Sequence, residues 1–228
     1  MGATASDNSK VIDFLIESQA LKFGEFTLKS GRKAPYFINT GSFDDGEKIS
    51  RLSRFYAEKI MALGLSSVDL VFGPAYKGIP LCVSTAMSLA RDFNVAMPFC
   101  FNRKEAKTHG DGGAFVGKAL KPGMRVVLVE DVVTAGTTLQ EMVPILRDQV
   151  GVEVAGVVIL VDRDERGKGE LSAVREAEVE LGIAVHPIVN ISEIISYLSK
   201  PNSSGLTLNP EQLKRIEEYR AEYGAVKR

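Results

Sequence analysis

The sequence carries almost no net charge. Its 28 lysines and arginines stand against 29 aspartates and glutamates. The basic excess or stripe of a duplex-binding protein is missing, which argues against nucleic acid as the main partner. Local basic clusters can still serve a small polyanion. Cysteine is scarce: Cys82 and Cys100 lie in apolar runs, with no CxxC and no Cys/His spacing. They read as buried free thiols in a reducing compartment. No run of ~18 apolar residues exists, so there is no candidate membrane span. The N-terminus (MGATASDNSK) has no apolar stretch behind a basic start, so no secretory signal is visible. Met1-Gly2 with Ser6 fits an acylation pattern only loosely and carries no weight. The expected location is the cytoplasm. Repeats and low-complexity segments are also absent.

What is present reads as one globular domain spanning residues 1–228, with 45% hydrophobic and 25% charged residues. A chain of this length buries roughly 70% of its unfolded surface and needs no staple. Short apolar runs alternate with helical stretches. Val68–Phe72, Ala96–Phe101, Arg125–Val129 and Val154–Val161 are strand candidates. Helices are expected over Asp45–Leu63, Ile79–Arg91 and Gly136–Val150. Continuous apolar runs between helices indicate strands covered on both faces. The expected fold is therefore α/β, a parallel sheet flanked by helices. Residues 1 to about 40, with their glycines and lysines, form a small hood. Pro144 should kink or shorten the helix that contains it. After a polar loop, Lys200–Gly205, a last helix starts at Pro210 behind Asn209 as N-cap, with Leu213, Ile216 and Tyr223 as its apolar stripe.

The run from Val126 to Thr138 (VVLVEDVVTAGTT) carries the strongest chemical signal. A buried strand delivers two adjacent carboxylates, Glu130 and Asp131, at its carboxyl end. A loop of small and hydroxyl residues follows, then a helix. Small residues let backbone N–H groups approach a ligand, and a helix N-terminus favours an anion. Ligands in open α/β sheets bind at the carboxyl ends of the strands. The loop suits a phosphate, and the carboxylates suit vicinal hydroxyls. A second segment, Phe101 to Gly113 (FNRKEAKTHGDGG), packs Arg103, Lys104, Lys107 and His109 ahead of three glycines. A basic, glycine-rich loop between strands can close over a polyanion and reopen.

The first run resembles the motif by which type I phosphoribosyltransferases bind 5-phosphoribosyl-1-pyrophosphate (PRPP). That resemblance implies that Glu130 and Asp131 contact the ribose hydroxyls. It gives Val132, Val133, Thr134, Ala135, Gly136, Thr137 and Thr138 to the loop around the 5′-phosphate. The basic segment resembles the catalytic loop of the orotate-using members. There Lys107 and His109 cover the pyrophosphate, often from the neighbouring subunit of a dimer. Leu21–Asn39 resembles their N-terminal substrate segment, which puts Lys29 at the site and Phe37-Ile38 beside the orotate ring. Many members have two aromatics at those positions, so Ile38 is a departure that weakens ring stacking but leaves backbone contacts intact. Phe72–Pro80 resembles their pyrophosphate loop, with Tyr76 and Lys77 in contact. Leu160–Gly167 places Arg163 on the orotate carboxylate, and Thr134 also faces that substrate. These motifs follow one another in the family's order, over roughly residues 14–197.

The implied reaction is substitution at an anomeric carbon through an oxocarbenium-like transition state. It needs no covalent nucleophile. Lys107, His109 and Asp131 are the groups expected to act, and Mg²⁺ is the implied cofactor. Because Mg²⁺ commonly binds through substrate phosphates and retained waters, no side chain is assigned to it. The implied partners are orotate, PRPP and a second copy of the chain that shares its catalytic loop. Two alternatives share the PRPP motif. A purine or uracil phosphoribosyltransferase gives no reason for Lys29, the Arg103–His109 loop or Arg163. A PRPP-sensing regulator predicts a nucleic-acid-binding module or basic face and a degraded loop.

Overall fold

A computed structural model of the chain describes residues 8–28, 31–107, 113–133 and 136–225, excepting the side chains of residues 66, 106 and 107. The hood comes first: α1 (Ser9–Glu17), then an antiparallel hairpin of β1 (Leu21–Thr27) and β2 (Lys33–Ile38). A 3-10 turn, Thr40–Ser42, leads into α2 (Gly46–Ala62). β3 (Leu70–Gly73), α3 (Gly78–Phe93), β4 (Phe99–Lys107), β5 (Gly113–Gly117) and β6 (Arg125–Glu130) follow. The chain continues through α4 (Thr137–Pro144), β7 (Glu153–Asp162), α5 (Ala173–Leu181), β8 (Val185–Asn190), α6 (Ile191–Leu198) and α7 (Pro210–Tyr223).

Six of the strands form one sheet in the order β5-β4-β3-β6-β7-β8. Only β5 runs antiparallel, against β4. The alternation of side chains along β6 explains its unbroken apolar run. Val127 and Val129 join the core that holds Leu52, Tyr56 and Ile60 of α2. Val126 and Leu128 join the core that holds Leu139, Met142 and Val143 of α4. Both faces are covered, so no polar position is left between Arg125 and Glu130.

Local signals set the helix ends. Asp45 caps α2 by accepting from the Lys48 amide at 2.8 Å. Asn209 and Gln212 form a reciprocal capping box around Pro210 at the start of α7. One expectation shifts and one, the shortening at Pro144, is met. The strand expected from Ala96 begins at Phe99, because Pro98 has no N–H for a ladder. At Pro144 the helix does not break: α4 ends there, and Ile145–Val150 continues as a π-helical stretch. A proline ring crowds the carbonyl four residues back and has no N–H to donate to it, so the regular α-helical ladder stops there.

Candidate active site

Asp131 stands one residue past the end of β6, anchored by the Leu160 amide of β7, which donates to its carbonyl at 2.9 Å. Its carboxylate is the junction of three segments. Oδ1 accepts from the Val132 amide at 2.7 Å. Oδ2 accepts from Lys77 Nζ at 2.6 Å and from Thr40 Oγ1 at 2.5 Å, and Lys77 also donates to Thr40 at 3.0 Å. Glu130 is buried beside it, its Oε1 accepting from the Asp131 amide, while Tyr56 of α2 donates to its carbonyl at 2.7 Å. Burial, helped by the charge of Asp131, pushes the Glu130 carboxyl up to about 7. The pairing of Lys77 with Asp131 joins two sequence motifs. Thr40 is a participant that sequence reading missed, since the matched segment stops at Asn39.

The segment carrying Lys77 is shaped by glycine. A Cβ on Gly73 would lie 2.0 Å from the carbonyl oxygen of Gly78, and one on Gly78 would lie 2.7 Å from the carbonyl carbon of Gly73. Only glycine at both ends lets the chain double back from β3 into α3. Asn102 of β4 pins the turn, its Oδ1 accepting from the Ala75 amide at 2.7 Å. Tyr76 projects outward, 70% exposed.

Past Asp131, Val132 and Val133 lead toward α4, and Thr134 and Ala135 lie outside the described residues. Gly136 adopts φ +69° at the N-cap, and Thr137 and Thr138 open the helix. β6 and α4 thus stand on either side of the expected phosphate loop. The basic segment differs from expectation in its first half: Arg103 and Lys104 sit on β4, a strand, and Arg103 donates to the Gly113 carbonyl of β5 at 3.2 Å. Lys107 is the last residue of that strand. Its side chain, like Lys29 and His109, falls outside the described residues. On the hood, Phe37 is partly exposed and stacks on Phe26 at 5.5 Å, while Ile38 pairs with Leu21.

Arg163 follows the last residue of β7. Its neighbours are not those of a surface turn. Nη2 donates to Glu165 Oε1 at 2.6 Å, with both side chains mostly buried. The same oxygen accepts from the hydroxyls of Tyr36 on β2 (3.0 Å) and Tyr219 on α7 (3.1 Å). Burial works against the Arg163 charge, but Glu165 and the two phenols outweigh it and hold the guanidinium protonated. Its Nε is buried and makes no hydrogen bond among the described residues.

The carboxyl ends of β3, β6 and β7 thus carry a lysine, two acids and an arginine. A phosphoribosyl transferase domain model matches residues 39–180, and the chain belongs to that family. Within it, the orotate phosphoribosyltransferase of Vibrio parahaemolyticus is 49% identical over 213 residues, covering 93% of this chain and 96% of that protein. The orotate phosphoribosyltransferase of Bifidobacterium adolescentis is 51% identical over 230 residues, covering 97% and 100%. The 1.9 Å crystal structure of the Francisella tularensis orotate phosphoribosyltransferase matches with a TM-score of 0.83 and 37% identity, covering 95% of this chain and all of that one. The chain belongs to the orotate phosphoribosyltransferases.

Proposed function

We propose that this chain transfers the 5-phosphoribosyl group of PRPP to orotate, giving orotidine 5′-monophosphate and pyrophosphate in de novo pyrimidine (UMP) biosynthesis. The observation that carries this is the set of three neighbouring strand ends, where Lys77 meets Asp131 on one side and Arg163 stands on the other. The C1–O bond to pyrophosphate breaks as a bond from C1 to an orotate ring nitrogen forms, and the proton that nitrogen loses goes to the departing pyrophosphate or to solvent, so no further reactant is required. Glu130 and Asp131 accept from the ribose hydroxyls, which fixes the sugar in the attack geometry. Backbone amides of Thr134–Thr138 and the start of α4 take the 5′-phosphate. Tyr76, Lys77, Arg103, Lys104, Lys107 and His109 meet the growing charge on pyrophosphate. Arg163 takes the orotate carboxylate, with Phe37 and Ile38 as the wall beside the ring and Thr134 near the acceptor, while Lys29 serves PRPP.

Mg²⁺ fits this set. Its donors would be PRPP oxygens and retained waters, the hard ligands this ion takes, beside the carboxylates of Glu130 and Asp131 at the end of β6. When bound it supplies charge neutralisation at the pyrophosphate. The same reading makes the active unit a homodimer in which the loop bearing Lys107 and His109 serves the partner's site. It also sets the reaction in the cytoplasm: Cys82 and Cys100 are unpaired and buried, and no described helix is long and apolar enough to cross a membrane. The test is acceptor consumption with PRPP and Mg²⁺, comparing orotate with uracil, hypoxanthine and adenine. Orotate alone should be consumed; turnover of a purine or of uracil in its place would overturn the proposal.

A further inference from the structure

We propose that Glu165 is a positioning residue that aims Arg163 at the acceptor's carboxylate, and that α7, through Tyr219, thereby sets how well the acceptor binds. This rests on the assignment of Arg163 to orotate given above.

One oxygen, Glu165 Oε1, receives three donors: Arg163 Nη2, the Tyr36 hydroxyl and the Tyr219 hydroxyl. The two phenols come from different elements, one from the hood and one from α7, and their rings meet edge to face at 5.7 Å. The guanidinium lies over the Tyr36 ring at 5.8 Å. Arginine is a long side chain with many rotamers, and an unbraced one loses entropy when it captures a ligand. Glu165 removes that freedom beforehand. It uses only one of the five guanidinium N–H donors, so donors remain for a second carboxylate. The Arg163–Glu165 pair carries no net charge, so a substrate anion is recognised by the direction of those donors rather than by bulk attraction.

The backbone keeps this node tied to α7. The Arg166 amide donates to the Tyr223 carbonyl at 2.9 Å, and the Ala225 amide donates to the Asp164 carbonyl at 2.8 Å. Arg220 of α7 also donates to Ser192 at 2.7 Å, and Ser192 donates to Asp164 at 2.8 Å. A helix remote in sequence from the PRPP motif therefore abuts the arginine's support. Glu165 itself lies behind Arg163 and is given no contact with the reacting atoms.

Steady-state kinetics on four variants tests this. Tyr219→Phe and Tyr36→Phe keep their rings and lose one hydrogen bond each, and should raise the KM for orotate about 2- to 10-fold with the KM for PRPP unchanged. Glu165→Ala should raise it further; if that variant does not fold, the two phenylalanine variants still decide. In an Arg163→Ala background, Tyr219→Phe should add nothing, because the brace acts only through the arginine. Equal changes in both KM values, or an undiminished Tyr219→Phe effect without Arg163, would overturn the brace. A raised orotate KM in Arg163→Ala with none in the others would overturn it alone. An unchanged orotate KM in Arg163→Ala would remove the assignment of Arg163, and the brace with it.

Discussion

Asp131 and Arg163 both stand just past the carboxyl ends of neighbouring strands, yet they are held in opposite ways. Asp131 is paired with Lys77, whose side chain is 63% exposed, whereas Arg163 is paired with Glu165, which is 13% exposed. Asp131 is itself only 10% exposed, so the first pair is open to water at its lysine end alone, and it is the mobile Lys77 side chain that can swing off Asp131 when ribose hydroxyls take its place. Breaking a buried pair costs about 3–5 kcal/mol, so Glu165 stays where it is. On the proposed assignment, the PRPP side is therefore built to rearrange on binding, and the acceptor side is built beforehand.

The largest expected effect falls on the PRPP side. Gly136→Val should abolish PRPP binding in calorimetric titration. The space around Gly136 is open, since an added Cβ meets nothing nearer than 3.8 Å, but its φ of +69° is one a β-branched residue resists. The turn and the start of α4 would shift away from the phosphate. Undiminished affinity would remove the loop from the site.

Next comes the loop that carries Lys107. Lys107→Ala should lower kcat by roughly 10²–10³-fold, as loss of a charge-stabilising donor does, because pyrophosphate charge is greatest in the transition state. Mixing Lys107→Ala subunits with subunits disabled at Asp131 then tests sharing. If the loop crosses to a partner, each heterodimer has one site with both lesions and one intact, and activity returns. With exchange verified, a mixture as inactive as its parents would reject sharing and leave the chemistry of Lys107 untouched.

Third, Arg163→Ala should cost on the order of 1.5–3 kcal/mol of orotate binding and leave PRPP nearly unaffected. Equal effects on the two substrates would erase the contrast between the two sides. The smallest effect concerns Glu130. Its carboxyl is pushed up to about 7 by burial first and Asp131 second, so the folded state holds a proton that the unfolded chain gives up near the ordinary carboxylate value. This group's contribution to stability must then fall as pH rises from about 4.5 to about 7. Glu130→Gln removes that fall. Urea midpoints at pH 5 and pH 8 should favour the variant more at pH 8, and a difference independent of pH would contradict the assignment.

The contrast also explains what could be read from the sequence. The PRPP side is contiguous: Glu130, Asp131, Gly136, Thr137 and Thr138 sit on one strand–turn–helix unit whose periodicity and small residues are visible in order. Parallel strands buried on both faces read directly as apolar runs. The acceptor side is assembled from distant pieces. Nothing in Asp162-Arg163-Asp164-Glu165 marks Glu165 as the partner of Arg163, while Asp164 instead accepts from Ser192. Tyr219 falls in α7 between Ile216 and Tyr223, where helical spacing predicts burial but not a hydrogen bond across the molecule. Thr40 reaches Asp131 only because the turn after β2 folds over the sheet. Such contacts are products of docking, and local pattern carries no trace of them. Lys29, His109, Thr134 and Ala135 lie outside the described residues, so their assignment stays with the family resemblance.

Tyr36 and Glu165 are 129 residues apart in the chain, and this separation has a consequence in time. Closing so long a loop must be met in entropy before the contact returns anything. The sheet that carries Asp131 and Lys77 can assemble without the brace, but the brace needs the hood and α7 already seated on that sheet. A chain diluted out of denaturant should therefore recover PRPP binding first and tight orotate binding later. Interrupted refolding, with each ligand added after a variable delay, reads the two recoveries separately. Simultaneous return of both would mean that hood, helix and sheet lock in a single step.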